Sequence, residues 1–173
     1  MITLSIENCN PLNQNVYNDI LSSLQFHQLT CTCGHSACLS VHGYYQRGLK
    51  TPDGLIRLRI CRLRCHVCRR THALIPSLIV PYSQISAPDQ ADIIHLFPDK
   101  TALRSLLDRI PCIDENNVKY IMRSYRRHWK QRLLSCTIPL FPLKELITRC
   151  FSSYCRQFMQ IKCTPNILFP LTT

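Results

Sequence analysis

Glycine is scarce in this sequence, four residues in 173, and acidic side chains are thin as well, ten against twenty-one Lys and Arg. No Walker loop and no nucleophile elbow occurs, and no Ser or Cys stands in a nucleophilic constellation. A nuclease built on three carboxylates needs acids spread through a large fold, yet from residue 133 onward Glu145 is the only one. These gaps argue against an enzyme. Long apolar runs are missing too, since stretches such as Ile93 to Phe97 fall far short of the roughly 20 residues a membrane helix needs. Met1 to Leu12 lack the basic start and apolar core of an export leader, so a soluble, cytoplasmic protein with no membrane partner is expected.

The sequence is rich in positive charge. Its formal net charge is +11, and the length leaves room for one ordinary domain or two small ones. The hydrophobic share of 46% with 18% charged residues belongs to a globular chain. Residues 1–46 carry no Lys or Arg, whereas 47–72 carry eight bases against Asp53 alone and 99–132 carry nine against four acids. Two basic blocks therefore supply the field, which favours a polyanionic partner.

Twelve cysteines without an export signal point to a reducing compartment and metal ligation rather than to disulfides. Six of them fall between positions 31 and 68, while Cys9, Cys112, Cys136, Cys150, Cys155 and Cys163 are scattered and read as small core residues.

Along the chain, Val16, Ile20 and Leu24 mark a short helix in an N-terminal segment, residues 1–30. From Cys31 the pattern turns to strands. Leu39 to Gln46 and Leu55 to Leu63 flank the turn Thr51-Pro52-Asp53-Gly54, giving an antiparallel hairpin, and Thr71 to Ile75 is a third strand. The alternation of Ile56, Leu58 and Ile60 with arginines fails after Ile60, which predicts a bulge or the end of the sheet near Cys61. Pro76, Pro81 and Pro88 break the chain into a connector between modules. Helices follow: Pro88 to about Phe97, Lys100 to Ile110, Glu115 to near Leu133 and Leu143 to about Gln160. The third has the clearest start, with Asp114 as cap and Ile113 and Val118 as a hydrophobic staple. At about 100° per residue, Val118, Ile121, Met122, Tyr125 and Trp129 share its buried face. Asn116, Tyr120, Arg123 and Arg127 fall opposite, flanked by Lys119, Arg126 and Lys130.

Two short Cys loops joined by a hairpin suit tetrahedral zinc. Cys65-His66-Val67-Cys68 is one regular loop, and Cys33 with Cys38 is favoured for the other because Gly34 frees the backbone beside a ligand. Cys31 is the alternate ligand and His35 a weaker one, while His42 and His72 read as ordinary strand histidines. The expectation is one Zn²⁺ per chain, structural because an all-Cys shell leaves no open position.

The stretch His42-Gly43-Tyr44-Tyr45-x-Arg47 and the run from Arg64 through Cys65, Cys68, Thr71 and His72 to Pro76 resemble the zinc ribbon at the front of several bacterial transposase families. With Val80 to Ile85 and the Asp114 to Val118 helix start, the chain looks most similar to an uncharacterised bacterial family of small transposase-like zinc-ribbon proteins, over about residues 31–135. The resemblance implies DNA binding in a mobile-element context. It departs at Cys31, Cys33 and Cys38, where the usual ribbon has C-x2-C.

The fold expected is α+β: a small antiparallel zinc ribbon over 31–80, then an all-α helix-turn-helix-like bundle over 86–135, then a C-terminal helix and tail over 136–173. Double-stranded DNA is the expected partner. Asn116, Arg123 and Arg127 are placed to read bases, Lys119, Arg126 and Lys130 to meet phosphates, with Tyr120 on the same face. Arg57, Arg59, Arg62, Arg64, Arg69 and Arg70 of the ribbon offer a second backbone grip. A transposase-associated accessory or transcriptional regulator without catalysis fits these features. The competing readings are an adaptor for a separate transposase subunit, an RNA binder using Tyr44 and Tyr45, and a remnant of a longer transposase.

Overall fold

The computed structural model describes residues 1–4, 12–154 and 156–161 of a mixed α+β chain. It divides into two compact units, residues 1–49 with 55–77, and residues 50–54 with 78–173. The main division falls between Ser77 and Leu78, inside the proline-punctuated connector.

In the first unit β1 (Ile2–Leu4), β2 (Leu39–Thr51), β3 (Gly54–Cys65) and β4 (Thr71–Pro76) form one sheet in the order β1-β4-β3-β2. β3 and β4 are antiparallel, with Arg62 opposite Ala73 and Arg64 opposite Thr71, while β1 runs parallel to β4 with Ile2 opposite Leu74. The turn between β2 and β3 closes where expected. Thr51 Oγ1 donates to the Gly54 carbonyl at 2.9 Å, and Gly54 takes φ +113°, a conformation that a side chain disfavours.

The broken alternation in β3 has another cause than the strand's ending, for β3 runs unbroken to Cys65. Leu58 and Ile60 are buried, then Cys61, Leu63 and Cys65. Successive side chains of a strand point to opposite faces, so β3 hides one face near the turn and the other near the thiols. Arg59 lies over the Tyr44 ring at 4.3 Å and Arg62 over Tyr45 at 6.0 Å, neighbouring tyrosines that alternate in the same way.

The helix α1 (Gln14–Ser23), capped by Asn13, seals the sheet where β3 and β4 part. The buried Tyr17 hydroxyl accepts from the Cys61 N–H at 2.9 Å and donates to the Leu74 carbonyl at 2.8 Å, standing in for a missing ladder bond. Gln14 Oε1 accepts from the Arg59 N–H at 2.6 Å. The N-terminal residues thus belong to the same unit as the hairpin, not to a separate segment.

The second unit holds α2 (Ala87–Leu96), α3 (Lys100–Arg109), α4 (Glu115–Ser124), α5 (Lys130–Ser135) and α6 (Leu143–Tyr154). Each of the first three starts on a side-chain cap: Ser86 accepts from the Asp89 N–H, Asp99 from Thr101 and Ala102, and Asp114 from Asn117. These caps satisfy N–H groups that a helix's first turn leaves without partners. The core joins Ile93 and Ile94 of α2, Leu106 of α3, Val118, Ile121 and Met122 of α4, Leu133 of α5 and Leu146 and Cys150 of α6.

Two helical expectations need correction. The helix expected from Glu115 to near Leu133 is interrupted by a π turn, Tyr125–Trp129, in which the Lys130 N–H reaches the Tyr125 carbonyl. Trp129 and Leu133 are nonetheless buried in the core at and beyond the break. The helix expected to reach Gln160 ends at Tyr154, and Phe158–Gln160 forms a separate 3₁₀ turn that buries Phe158 edge-on against Trp129.

Candidate functional site

Cys31, Cys33, Cys65 and Cys68 come together, their sulfur atoms all within 4.8 Å of one another. Each pair is set by a tight turn. In the first, the Cys31 N–H donates to the His35 carbonyl at 2.9 Å and the Gly34 N–H to the Cys31 carbonyl at 2.9 Å, with Gly34 at φ +87°. In the second, the Cys65 N–H donates to the Arg70 carbonyl at 2.9 Å and the Cys68 N–H points at the Cys65 sulfur, 3.4 Å away. The His66 N–H donates to the Cys38 carbonyl at 2.8 Å and ties the two turns together.

Cys31 lies 3.6 Å from Cys68 and Cys33 3.8 Å from Cys65, sulfur to sulfur. With metal–sulfur bonds of about 2.3 Å, a tetrahedron has edges of about 3.8 Å, so four thiolates so placed can hold a metal ion. Hydrogen bonding to sulfur favours the thiolate. The Cys65 thiol is lowered to about 6, first by the Cys68 N–H and further by its other hydrogen-bonding neighbours, against an opposing contribution from burial.

The alternate ligand, Cys31, therefore stands in the four-sulfur set that the sequence had led us to complete with Cys38. Cys38 is close but outside. Its sulfur sits 3.4 Å from Cys65 and 3.1 Å from the His35 carbonyl, and burial pushes its thiol up. Spacing hid this, because Cys31-x-Cys33 is tighter than the usual loop, and Gly34 beside Cys33 frees the backbone for either partner without choosing between Cys31 and Cys38.

His72 has a more specific place than a strand histidine satisfied by its own sheet. It is buried on β4, with Nε2 at 3.3 Å from the Cys31 sulfur and Nδ1 at 3.1 Å from the Met1 amino nitrogen. Burial lowers its pKa, which keeps the ring neutral and able to donate one N–H to sulfur. His35 Nδ1 lies 3.5 Å from the Cys33 sulfur.

The scattered cysteines gather into no second cluster among the described residues. Cys150 is a buried thiol, pushed up to about 12 by burial, and Cys112 and Cys136 are half-buried; Cys61, the remaining cysteine of the 31–68 stretch, is also buried. Cys9, Cys155 and Cys163 lie outside the described residues.

Arg57, Arg59, Arg62, Arg64, Arg69 and Arg70 are all exposed, but strand alternation sends Arg57 and Arg59 to one face of β3 and Arg62 and Arg64 to the other. They do not make a single plane.

In the helical unit, Asn116, Lys119, Tyr120, Arg123, Arg126, Arg127 and Lys130 are all exposed, Tyr120 at 65%. Lys119, Arg123, Arg126 and Arg127 line a groove of about 500 Å³ together with Met122 and, beyond the end of α2, Phe97. The Arg126 guanidinium rests over the Phe97 ring at 5.3 Å. Lys119 pairs with Glu115 at 3.4 Å, an exposed pair of little energetic weight. The helix start is anchored beneath: Lys50 Nζ donates to the Cys112 carbonyl at 2.5 Å and to Asn117 Oδ1 at 2.6 Å, and Asn117 closes the capping box with Asp114. Periodicity on one helix could not find Phe97 or Lys50, which come from other elements.

Residues 30–105 match a family described as a domain of unknown function (DUF6431). The matched span takes in the thiol loops, β2 to β4 and α2, and stops before α4. No curated protein and no solved structure matches the chain. Among the described residues no helix is long and apolar enough to cross a membrane.

Proposed function

We propose that the chain is a DNA-binding protein in which the four thiols hold one structural zinc ion and α4 docks on duplex DNA. Zinc is the natural occupant of four thiolates in a tetrahedron, and a shell filled by cysteine leaves no position for substrate or activated water. Zn²⁺ with four thiolates carries a net charge of about −2, which the chain neighbours Arg64, Arg69 and Arg70 offset. The metal would fix the hairpin; it would not perform chemistry.

The observation that carries the DNA reading is the exposed basic face of α4 and its π turn, on a helix whose first turn is held by the Asp114 box and Lys50. The link Ile110 to Asp114 between α3 and α4 is short and α2 packs against both, which supports reading α4 as the recognition helix of a helix-turn-helix. Asn116 at the helix start is suited to adenine, and the lysines and arginines behind it to phosphates. With no acid-rich catalytic region, the role is a transposase-associated accessory or a transcriptional regulator.

A gel shift on random duplex tests this directly. Binding should weaken steeply between 50 and 200 mM salt, because each neutralised phosphate releases counterions. Selection from a random duplex pool should then return a preferred site. Tight binding to a transposase subunit with no affinity for duplex would establish the adaptor instead, and preference for single-stranded RNA would move the function to the hairpin.

A further inference from the structure

Building on that reading, we infer that the groove between Phe97 and the α4–π-turn face is a clamp for consecutive phosphates of one nucleic-acid strand, so that Arg123 and Arg127 hold backbone and base readout falls to Asn116 and Tyr120. The sequence pattern alone had set Arg123 and Arg127 among the base readers. The groove groups them differently.

Four cations share its lining, Lys119, Arg123, Arg126 and Arg127, and among the described residues Glu115 beside Lys119 is the only carboxylate paired with any of them. At 1.5 Å per residue, Lys119 to Arg127 spans roughly 12 Å of helix, long enough for two or more phosphates of a strand that carries one per about 3.4 Å of duplex axis. The floor is apolar, Phe97 and Met122, and offers no hydrogen-bonding group to identify a base. Arg126 is already held on the Phe97 ring, so less side-chain freedom is lost when it meets an anion. The π turn contributes as well: a turn that holds more residues spreads neighbours less widely, which lets consecutive Arg126 and Arg127 face one groove. Asn116 and Tyr120 are exposed on the same helix but line no part of the groove. They remain free for a base edge.

The test uses the full chain, the selected duplex and a random duplex, and the conservative and truncating variants of each arginine. Arg123→Ala and Arg127→Ala should each weaken binding to both duplexes by the same factor and lower the salt slope by about one. Arg123→Lys and Arg127→Lys should restore most of the affinity and the slope, since Lys serves a phosphate as a point charge but cannot form the bidentate contact a base edge needs. Asn116→Ala should leave the slope unchanged and erase the preference for the selected site. Emission from Trp129, the one tryptophan, checks that each variant keeps its core. If Arg→Lys variants lose discrimination while keeping the slope, the arginines read bases and the clamp is wrong although the chain still binds DNA. If the wild-type chain ignores duplex altogether, the clamp and the DNA reading fall together.

Discussion

Cys31 and Cys38 carry the same side chain and are both buried, yet the two thiols differ in what surrounds the sulfur. Cys31 faces Cys68 and the His72 ring, while Cys38 donates to the His35 carbonyl. Metal analysis under reducing conditions should therefore give one equivalent for the wild type and for Cys38→Ser, and much less for Cys31→Ser. A Cys31→Ser protein that keeps its metal while Cys38→Ser loses it would restore the alternative set. The pH dependence follows from Cys65, whose thiol is lowered to about 6 from an ordinary 9.0. A depressed folded-state value means that the stabilisation from its thiolate is present above the ordinary thiol value and is lost as pH falls through about 6. Protons compete with metal for the same sulfurs, so acidification should release the ion, read by a chromophoric chelator. Retention of the ion independent of pH down to acid unfolding would contradict this account.

At the scale of elements, the sheet depends on a residue from outside it. Tyr17 of α1 bridges the Cys61 N–H and the Leu74 carbonyl, and burial pushes its hydroxyl well above the usual tyrosine range, keeping it protonated and able to donate. Tyr17→Phe keeps the ring but strands two buried backbone groups, so it should cost about 1–3 kcal/mol in denaturant unfolding. A loss below about 0.5 kcal/mol would mean that those groups find other partners on relaxation. The helices are more locally determined. Removing the α4 cap by Asp114→Ala should cost about 1 kcal/mol and lower helicity, since the Asn117 N–H loses its acceptor. This is also where sequence served well: the Asp114 cap, Pro88 in a first turn and the hairpin turn depend on neighbours within a few residues. The π turn does not. It rests on the Lys130 N–H reaching the Tyr125 carbonyl, a hydrogen bond that no cap residue and no helical periodicity announces.

For the whole molecule, the division into two units separates two kinds of stability. The first has a short sheet around four thiols, and much of a small metal site's folding free energy comes from the ion. The second has a larger continuous apolar core that includes Trp129. Removal of metal by a chelator should therefore abolish protection of amide hydrogens in β2 to β4 while Trp129 emission stays unchanged. Loss of both signals together would show that the helical unit depends on the metal.

What the sequence determined by itself was local: the charge excess and its two basic blocks, the hairpin turn, and the α4 start written in Asp114 beside its own backbone. It also determined that a cluster of cysteines would close on a hairpin. Which thiols close was decided by tertiary structure, because spacing constrains a loop's reach but not the direction of a sulfur: four come within 4.8 Å of one another, while Cys38, 3.4 Å from Cys65, stays outside. The same holds for the groove. Helical periodicity gives the angle of each arginine about its own axis, whereas a concavity needs a second wall, and Phe97 reaches it only through the packing of α2 against α4.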